Sequence, residues 1–160
     1  MSRLIIRAVT NRNRNSLLSL VDALADFEKL KRPTPAARKR LLRDCCGKRK
    51  RFDAVLSYLD GRPVGYAITF KTYSSFLALP TLYLEDIFIL PGHRKQGIGG
   101  KLFRHCYSRA KRMGCGRMEW VVLDWNKPAI RFYDRLGARQ LKGWLPYRLT
   151  LSPRERSESL

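Results

Sequence analysis

A mixed, mostly antiparallel sheet flanked by helices (α/β in content, α+β in layout) is the fold that this chain of 160 residues predicts. Three observations predict it. Asp60-Gly61 sits between two apolar, β-branched and aromatic runs, the pattern of a tight antiparallel hairpin. A long apolar strand, a helix and a further strand follow over residues 81–123, and such a unit closes as a right-handed parallel crossover. Two helical stretches precede the hairpin, the first with apolar residues at helical spacing and the second opened by a Thr-Pro cap, and helices on the faces of the sheet follow. One hairpin and one crossover together require strands of mixed direction.

The elements follow in order. Residues 3–8 alternate as a short strand. Asn15 or Ser16 can cap a helix whose Leu17, Leu20, Val21, Leu24 and Phe27 recur at helical spacing, with Pro33 as its stop. Thr34 before Pro35 is an N-cap followed by a first-turn proline, opening a helix that runs to about Cys46 and ends at Gly47. Residues 52–59 and 63–73 are the hairpin strands, 74–80 a connection, 81–90 a long strand, and 97–113 a helix closed by Gly114. Residues 117–123 form the next strand, and Lys127-Pro128 opens a short helix over 129–136 that Gly137 ends. Residues 143–151 give a last strand pair, and 152–160 a polar tail that frays. No repeat or linker divides the chain, so residues 1–151 are expected to form a single domain.

Thirty-three Lys and Arg against thirteen Asp and Glu give a net charge of +20, a field that favours anionic partners. The densest basic run is 31–51. No apolar run has membrane-spanning length and the N-terminus lacks a signal-peptide pattern, so a cytoplasmic protein without a membrane partner is expected. Cys45, Cys46, Cys106 and Cys115 contain no CxxC pair, and His93 and His105 complete no zinc pattern. Reduced thiols and no metal site are the expectation.

Chemistry concentrates in one stretch, LEDIFILPGHRKQGIGG, residues 84–100. Arg94-x-x-Gly97-x-Gly99 lies between a strand and a helix N-terminus, where free N–H groups and the helix dipole receive anions and glycine admits close approach. It is not a P-loop: the glycine five residues before Gly100 is replaced by Lys95, and Leu102 follows Lys101 where Ser or Thr is needed. A dinucleotide fingerprint would also need glycine at Leu102.

The loop in this context resembles the signature of the GNAT N-acetyltransferases, [Q/R]xxGx[G/A], and more narrowly the spermidine/spermine (diamine) and thialysine-type enzymes. The matching pieces are Ile6-Arg7-Ala8, residues 24–30, Tyr73 to Leu77, Leu82-Tyr83-Leu84-Glu85-Asp86, Trp125-Asn126-x-Pro128, Phe132-Tyr133 and Leu136-Gly137-Ala138. The resemblance implies the GNAT fold, acetyl-CoA as cosubstrate with CoA as product, and acetyl transfer to an amine. It implies that Lys95, Gln96, Gly97, Ile98, Gly99 and Gly100 supply amides to the pyrophosphate, with Arg94 and Lys95 adding charge. Ile87, Phe88 and Ile89 would pair through their backbone with pantetheine, and Asn126, Pro128, Ala129 and Tyr133 would contact CoA.

An amine with a pKa of about 10.4 must lose a proton before it attacks a thioester, and the departing thiolate is helped by gaining one. By resemblance Glu85 is the base, directly or through a water; holding the cationic substrate is the other role open to it. Tyr133 matches the tyrosine that protonates the thiolate. Strict alternation puts Glu85 and Asp86 on opposite faces and leaves Asp86 unexplained. Phe27 and Glu28 occupy the family's Tyr-Glu substrate position, and the missing hydroxyl weakens that correspondence. Asp124, just after the last central strand, is a further candidate for the substrate side. Ser74-Ser75 stands where polyamine enzymes can carry an acid, which should weaken recognition of a long polycation. The implied acceptor is a small amine, a polyamine or a lysine-like amino acid. A second reading is a basic GNAT protein associated with nucleic acid or ribosomes, contacting them through residues 31–51 and acetylating a protein amine or only binding CoA. Family relatives are commonly dimers, and residues 144–149 look like the strand used in such interfaces, which implies a homodimer.

Overall fold

The computed structural model describes residues 2–152, and the chain divides into two compact units, Met1–Val121 and Val122–Leu160. The expected polar tail lies, beyond Ser152, outside the described residues. The first unit holds one five-stranded sheet in the order β1 (Leu4–Ala8), β2 (Asp53–Leu59), β3 (Arg62–Ser74), β4 (Leu79–Ile89) and β5 (Arg117–Glu119). Neighbouring strands are antiparallel except β4 and β5, which run parallel. Helices α1 (Arg14–Phe27) and α2 (Pro35–Cys46) come between β1 and β2, and α3 (Ile98–Arg112) is the crossover from β4 to β5.

Local chemistry explains the element ends. Asp60 and Gly61 both take positive φ, 49° and 80°, the two-residue turn whose twist matches the flanking strands. The Asp60 carboxylate accepts from the Arg3 N–H at 2.7 Å and so ties β1 to the hairpin. Thr34 Oγ1 accepts from the Ala37 N–H at 3.2 Å, capping α2 ahead of Pro35. α1 starts at Arg14, earlier than a cap at Asn15 or Ser16 would allow. Asn13 fills the cap position, but its side chain accepts from the Thr10 N–H at 2.7 Å and donates to the Ala8 carbonyl at 3.1 Å, holding the turn out of β1. The helix also ends well before Pro33. Lys29 adopts φ 57° and the Leu30 N–H reaches back to the Ala25 carbonyl at 2.8 Å, a Schellman-type stop made without glycine.

The sheet is covered on both faces. Leu17 and Leu20 of α1 and Cys45 of α2 bury against Leu56, Tyr66, Ile68 and Phe88 on one face. A fully buried leucine such as Leu17 contributes about 1.5–3 kcal/mol. On the other face α3 packs over β3 and β4 through Ile98, Leu102, Phe103, Cys106 and Ala110. Arg109 pairs with Asp53 at 2.5 Å, fastening α3 to β2.

The second unit contains α4 (Lys127–Arg135), capped by Asn126 Oδ1 accepting from the Ala129 N–H at 3.3 Å and ended by Gly137 at φ 82°. Two expectations are corrected. β5 stops at Glu119 and does not run to residue 123. No strand forms over 143–151 among the described residues, although Trp144, Leu145, Tyr147 and Leu149 keep the apolar character of one; all four are exposed and no ladder partner accompanies them. No helix among the described residues is long and apolar enough to cross a membrane.

Candidate active site

The site begins with a defect in the β3–β4 ladder. Ile68 pairs with Asp86 and Thr69 with Leu84, so Glu85 is an extra residue without a partner. Such a bulge resets the alternation of side chains and bends its strand. Leu84, Ile87 and Ile89 are left on the α3 face, while Glu85 and Asp86 both turn to the α1 face with Ile68 and Phe88. The expectation that Glu85 and Asp86 face opposite ways is thereby corrected: strict alternation does not survive an inserted residue. β5 pairs with β4 only from Thr81 to Tyr83, immediately before the bulge. From Leu84 onward β4 has no β5 partner, and Ile87, Phe88 and Ile89 lie along an edge of the kind that an extended chain can join.

Three acids gather on the α1 side of this edge. Glu28 is the C-cap of α1, beside Phe27, whose ring centroid lies 6.1 Å from that of Phe88. Asp86 Oδ2 accepts from Tyr66 Oη at 3.1 Å. Burial pushes the Asp86 carboxyl up to about 6; the Tyr66 hydrogen bond opposes this, and the Glu85 and Glu28 charges reinforce it. Burial also raises the Glu28 carboxyl. The Tyr66 phenol is fully buried, and burial followed by the Asp86 charge raises it far above its usual range, so it acts as a donor. Phe27, Glu28 and Glu85, selected from the sequence, thus come together. Tyr66 and Asp86 join them unselected: Tyr66 reads as one more core aromatic of an apolar run, and only the register reveals Asp86's side.

Arg94 turns toward the same place. Its guanidinium lies 4.3 Å from the Phe27 ring centroid and 5.5 Å from that of Phe88, and its Nε donates to the Ile89 carbonyl at 2.9 Å. In this position it braces the end of β4 against α1, and burial lowers its proton affinity.

The glycine loop makes the second half of the site. Lys95 at φ 62° and Gly97 at φ 75° bend the chain into α3. The first helical bond is Lys101 N–H to Gly97 carbonyl at 3.1 Å, so the N–H groups of Ile98, Gly99 and Gly100 open at the helix N-terminus. No acid stands in that first turn, and the space beside Gly97 is empty. Lys95 and Gln96 are exposed at its rim. Arg104, missed in the sequence, holds a guanidinium nitrogen 3.4 Å from where a Gly100 Cβ would sit. The i, i+4 spacing from Gly100 was the available signal. Open amides, cationic rim and unpaired strand edge are a fit for a ligand with phosphates at one end and an extended arm.

Asn126, Pro128, Ala129 and Tyr133 all stand on the second unit, in or just before α4. Burial pushes the Tyr133 phenol up to about 12, so it carries its proton at neutral pH. Its ring meets Phe132 edge-on at 5.3 Å. Asp124 is exposed on the turn leading into this helix.

The acetyltransferase (GNAT) family pattern matches residues 18–138. A thialysine N-epsilon-acetyltransferase of Mus musculus is 32% identical over 154 residues, covering 89% of this chain and 90% of that enzyme. An L-ornithine N5-acetyltransferase of Arabidopsis thaliana is 43% identical over 86 residues, 54% of this chain but 38% of that enzyme. Among solved structures, an aminoglycoside N-acetyltransferase in complex with CoA aligns at TM-score 0.75 and 19% identity, over 94% of this chain and 97% of that one. A probable acetyltransferase aligns at TM-score 0.79 and 22% identity, over 94% and 98% of the two chains.

Proposed function

The chain belongs to the GNAT family of acetyltransferases, with acetyl-CoA as its cosubstrate, and from that premise we propose that it acetylates a primary amine of a small molecule: a diamine, a polyamine or a lysine-like amino acid. The observation that carries this reading is the β4 bulge, which turns Glu85 to the side of Glu28 and Asp86. A chain of net charge +20 thereby keeps one acidic patch beside an open strand edge. Ammonium groups are attracted there, while repulsion from basic residues more than about 8 Å away is largely screened at physiological salt.

Acetyl-CoA supplies the activated acetyl thioester. The amides of Ile98, Gly99 and Gly100, with Lys95 and Arg104, hold its phosphates, and the β4 edge at Ile87 to Ile89 receives its arm. Glu28 receives the cationic acceptor and Phe27 gives its chain an apolar wall; Asp124, exposed on the second unit, is a further acidic candidate for the acceptor. A carboxylate oxygen of Glu85 takes the proton that the amine must lose, directly or through a water. Tyr133 Oη, protonated at neutral pH, gives one to the departing sulfur. Ser74 does not replace the acid that polyamine enzymes can carry there: its Oγ accepts from the Leu77 N–H at 3.2 Å and builds the turn. Compact acceptors are favoured over long polycations for that reason, in line with the thialysine and ornithine enzymes to which the chain is similar.

The test is acetyl-CoA turnover with spermidine, putrescine, lysine, ornithine, thialysine and a peptide N-terminus. Thialysine, lysine, ornithine or putrescine is expected to react well above spermidine. Turnover with the peptide alone would overturn the reading.

One observation favours a second role. Between residues 39 and 51, Lys39, Arg40, Arg43, Lys48, Arg49, Lys50 and Arg51 are all exposed, and Asp44 is the single acid among them. Such a face suits a polyphosphate chain. Salt-dependent retention on RNA or DNA, lost when these residues are neutralised, is its expected signature; purification free of nucleic acid at low salt would count against it.

A further inference from the structure

We propose that Asp86, anchored by Tyr66, is the positioning residue of the acceptor site: it fixes the bulge that presents Glu85 and adds a negative charge beside it for a cationic amine. This rests on the reading of Glu85 as base and gives a role to two residues outside the set chosen from sequence.

The geometry comes first. A bulged residue has no ladder partner of its own, so its direction is set by whatever holds the residue beside it. Here that neighbour is Asp86, and its side chain ends on Tyr66 Oη at 3.1 Å. Tyr66 is itself fully buried in the α1-side core, with its ring 6.3 Å from that of Phe88. Asp86 is therefore pinned from below, and Glu85, exposed, is held at the surface next to it. Removing the anchor frees the bulge without touching Glu85.

The charge follows from the surroundings. The groups acting on Asp86 are Tyr66 from β3, Glu85 from its own strand and Glu28 from the end of α1. The nearby cation, Arg94, is stacked on Phe27 and Phe88 and bonded to the Ile89 carbonyl. With burial and two acids disfavouring its ionised form, Asp86 titrates at about 6. Above that pH its negative charge adds to those that attract an ammonium; below it the patch loses one charge. The Tyr66 hydrogen bond favours the ionised form, so its loss moves the titration upward.

The experiment measures kcat/KM for the preferred amine between pH 5 and 9, at saturating acetyl-CoA, in the wild type and in Tyr66→Phe, Asp86→Asn and Glu85→Gln. The wild type should lose activity on the acid side around pH 6. Tyr66→Phe should move that limb up by about half to one pH unit. Asp86→Asn should remove the inflection near pH 6 and raise the KM for the amine. The Asp86 carboxyl carbon, followed by NMR in the enzyme alone, should show the same upward shift in Tyr66→Phe and so tests the anchor without any substrate. An unmoved inflection and an unmoved carboxyl resonance in Tyr66→Phe overturn the proposal, as does an inflection near pH 6 that persists in Asp86→Asn. If Tyr66→Phe fails to fold, Asp86→Asn decides alone. Glu85→Gln separates the two levels: full activity in that variant removes the base, whereas a crippled Glu85→Gln with unmoved limbs removes only the role of Asp86.

Discussion

Replacing Glu85 by glutamine is expected to lower kcat by about 10²- to 10⁴-fold, the range associated with a positioned general base. Glutamine keeps the size and hydrogen-bonding capacity of the side chain but cannot take up a proton at neutral pH. Glu85 is exposed and unpaired in the ladder, so stability should change by less than about 0.5 kcal/mol. The KM for acetyl-CoA should stay put, because the α3 N-terminus, to which the phosphates are assigned, begins beyond the end of β4 and does not include Glu85. Steady-state kinetics with each substrate varied in turn makes the distinction. If Glu85 merely holds the ammonium, the KM for the amine rises and kcat is left nearly intact. That outcome would remove the base while keeping the site.

The sheet order and the site differ in how far they could be read from residues alone. Periodicity and turn chemistry are local, and they gave the hairpin, the crossover and both caps of α2, because Asp60-Gly61 and Thr34-Pro35 act within four residues of themselves. The glycine loop was legible for the same reason: its function rests on backbone freedom at consecutive positions. What could not be read were the long-range pairings. The bulge at Glu85 exists because β3 and β4 meet with unequal residue counts, and no pattern in either strand announces that mismatch. Asp86 and Tyr66 are twenty residues apart and become partners only through this register. The early end of β5 follows too, since β4 bends away at the bulge just after Tyr83 and Glu119 pair. Residues 143–151 make the converse point, for apolar alternation in Trp144, Leu145, Tyr147 and Leu149 is a capacity for strand that needs a partner to be realised.

Charge shows the same division. Composition gives +20 as a sum, but placement decides its use. Several of the thirteen acids are held in ion pairs, Asp26 with Arg32 at 2.6 Å, Asp22 with Arg38 at 2.5 Å and Asp53 with Arg109 at 2.5 Å. Glu28, Glu85 and Asp86 enter no such pair among the described residues, and their field is left for a ligand.

A single methyl group at Gly65 is expected to disturb both fold and cofactor site. Gly65 lies in β3 opposite Ser57 of β2 and Ile89 of β4. A Cβ there would strike the Ile89 Cδ1 and come within 2.5 Å of the Phe88 carbonyl oxygen and 2.8 Å of Ser57 Oγ. The isoleucine methyl can swing aside, but the carbonyl is backbone, so relief requires β4 to move at Phe88 and Ile89. Glycine inside a strand marks close approach of this kind. Gly65→Ala should cost about 3 kcal/mol, the upper end of the overpacking range, and at this chain length each kcal/mol lowers Tm by about 2–4 °C. Thermal denaturation should therefore fall by about 6–12 °C. Because Phe88 and Ile89 form the edge assigned to the cofactor's arm, the KM for acetyl-CoA should rise in whatever fraction stays folded at low temperature, with the amine KM less affected. An unchanged Tm would mean that β2 and β4 have slack around Gly65. An unchanged acetyl-CoA KM in a destabilised variant would place the arm elsewhere than along Ile87 to Ile89.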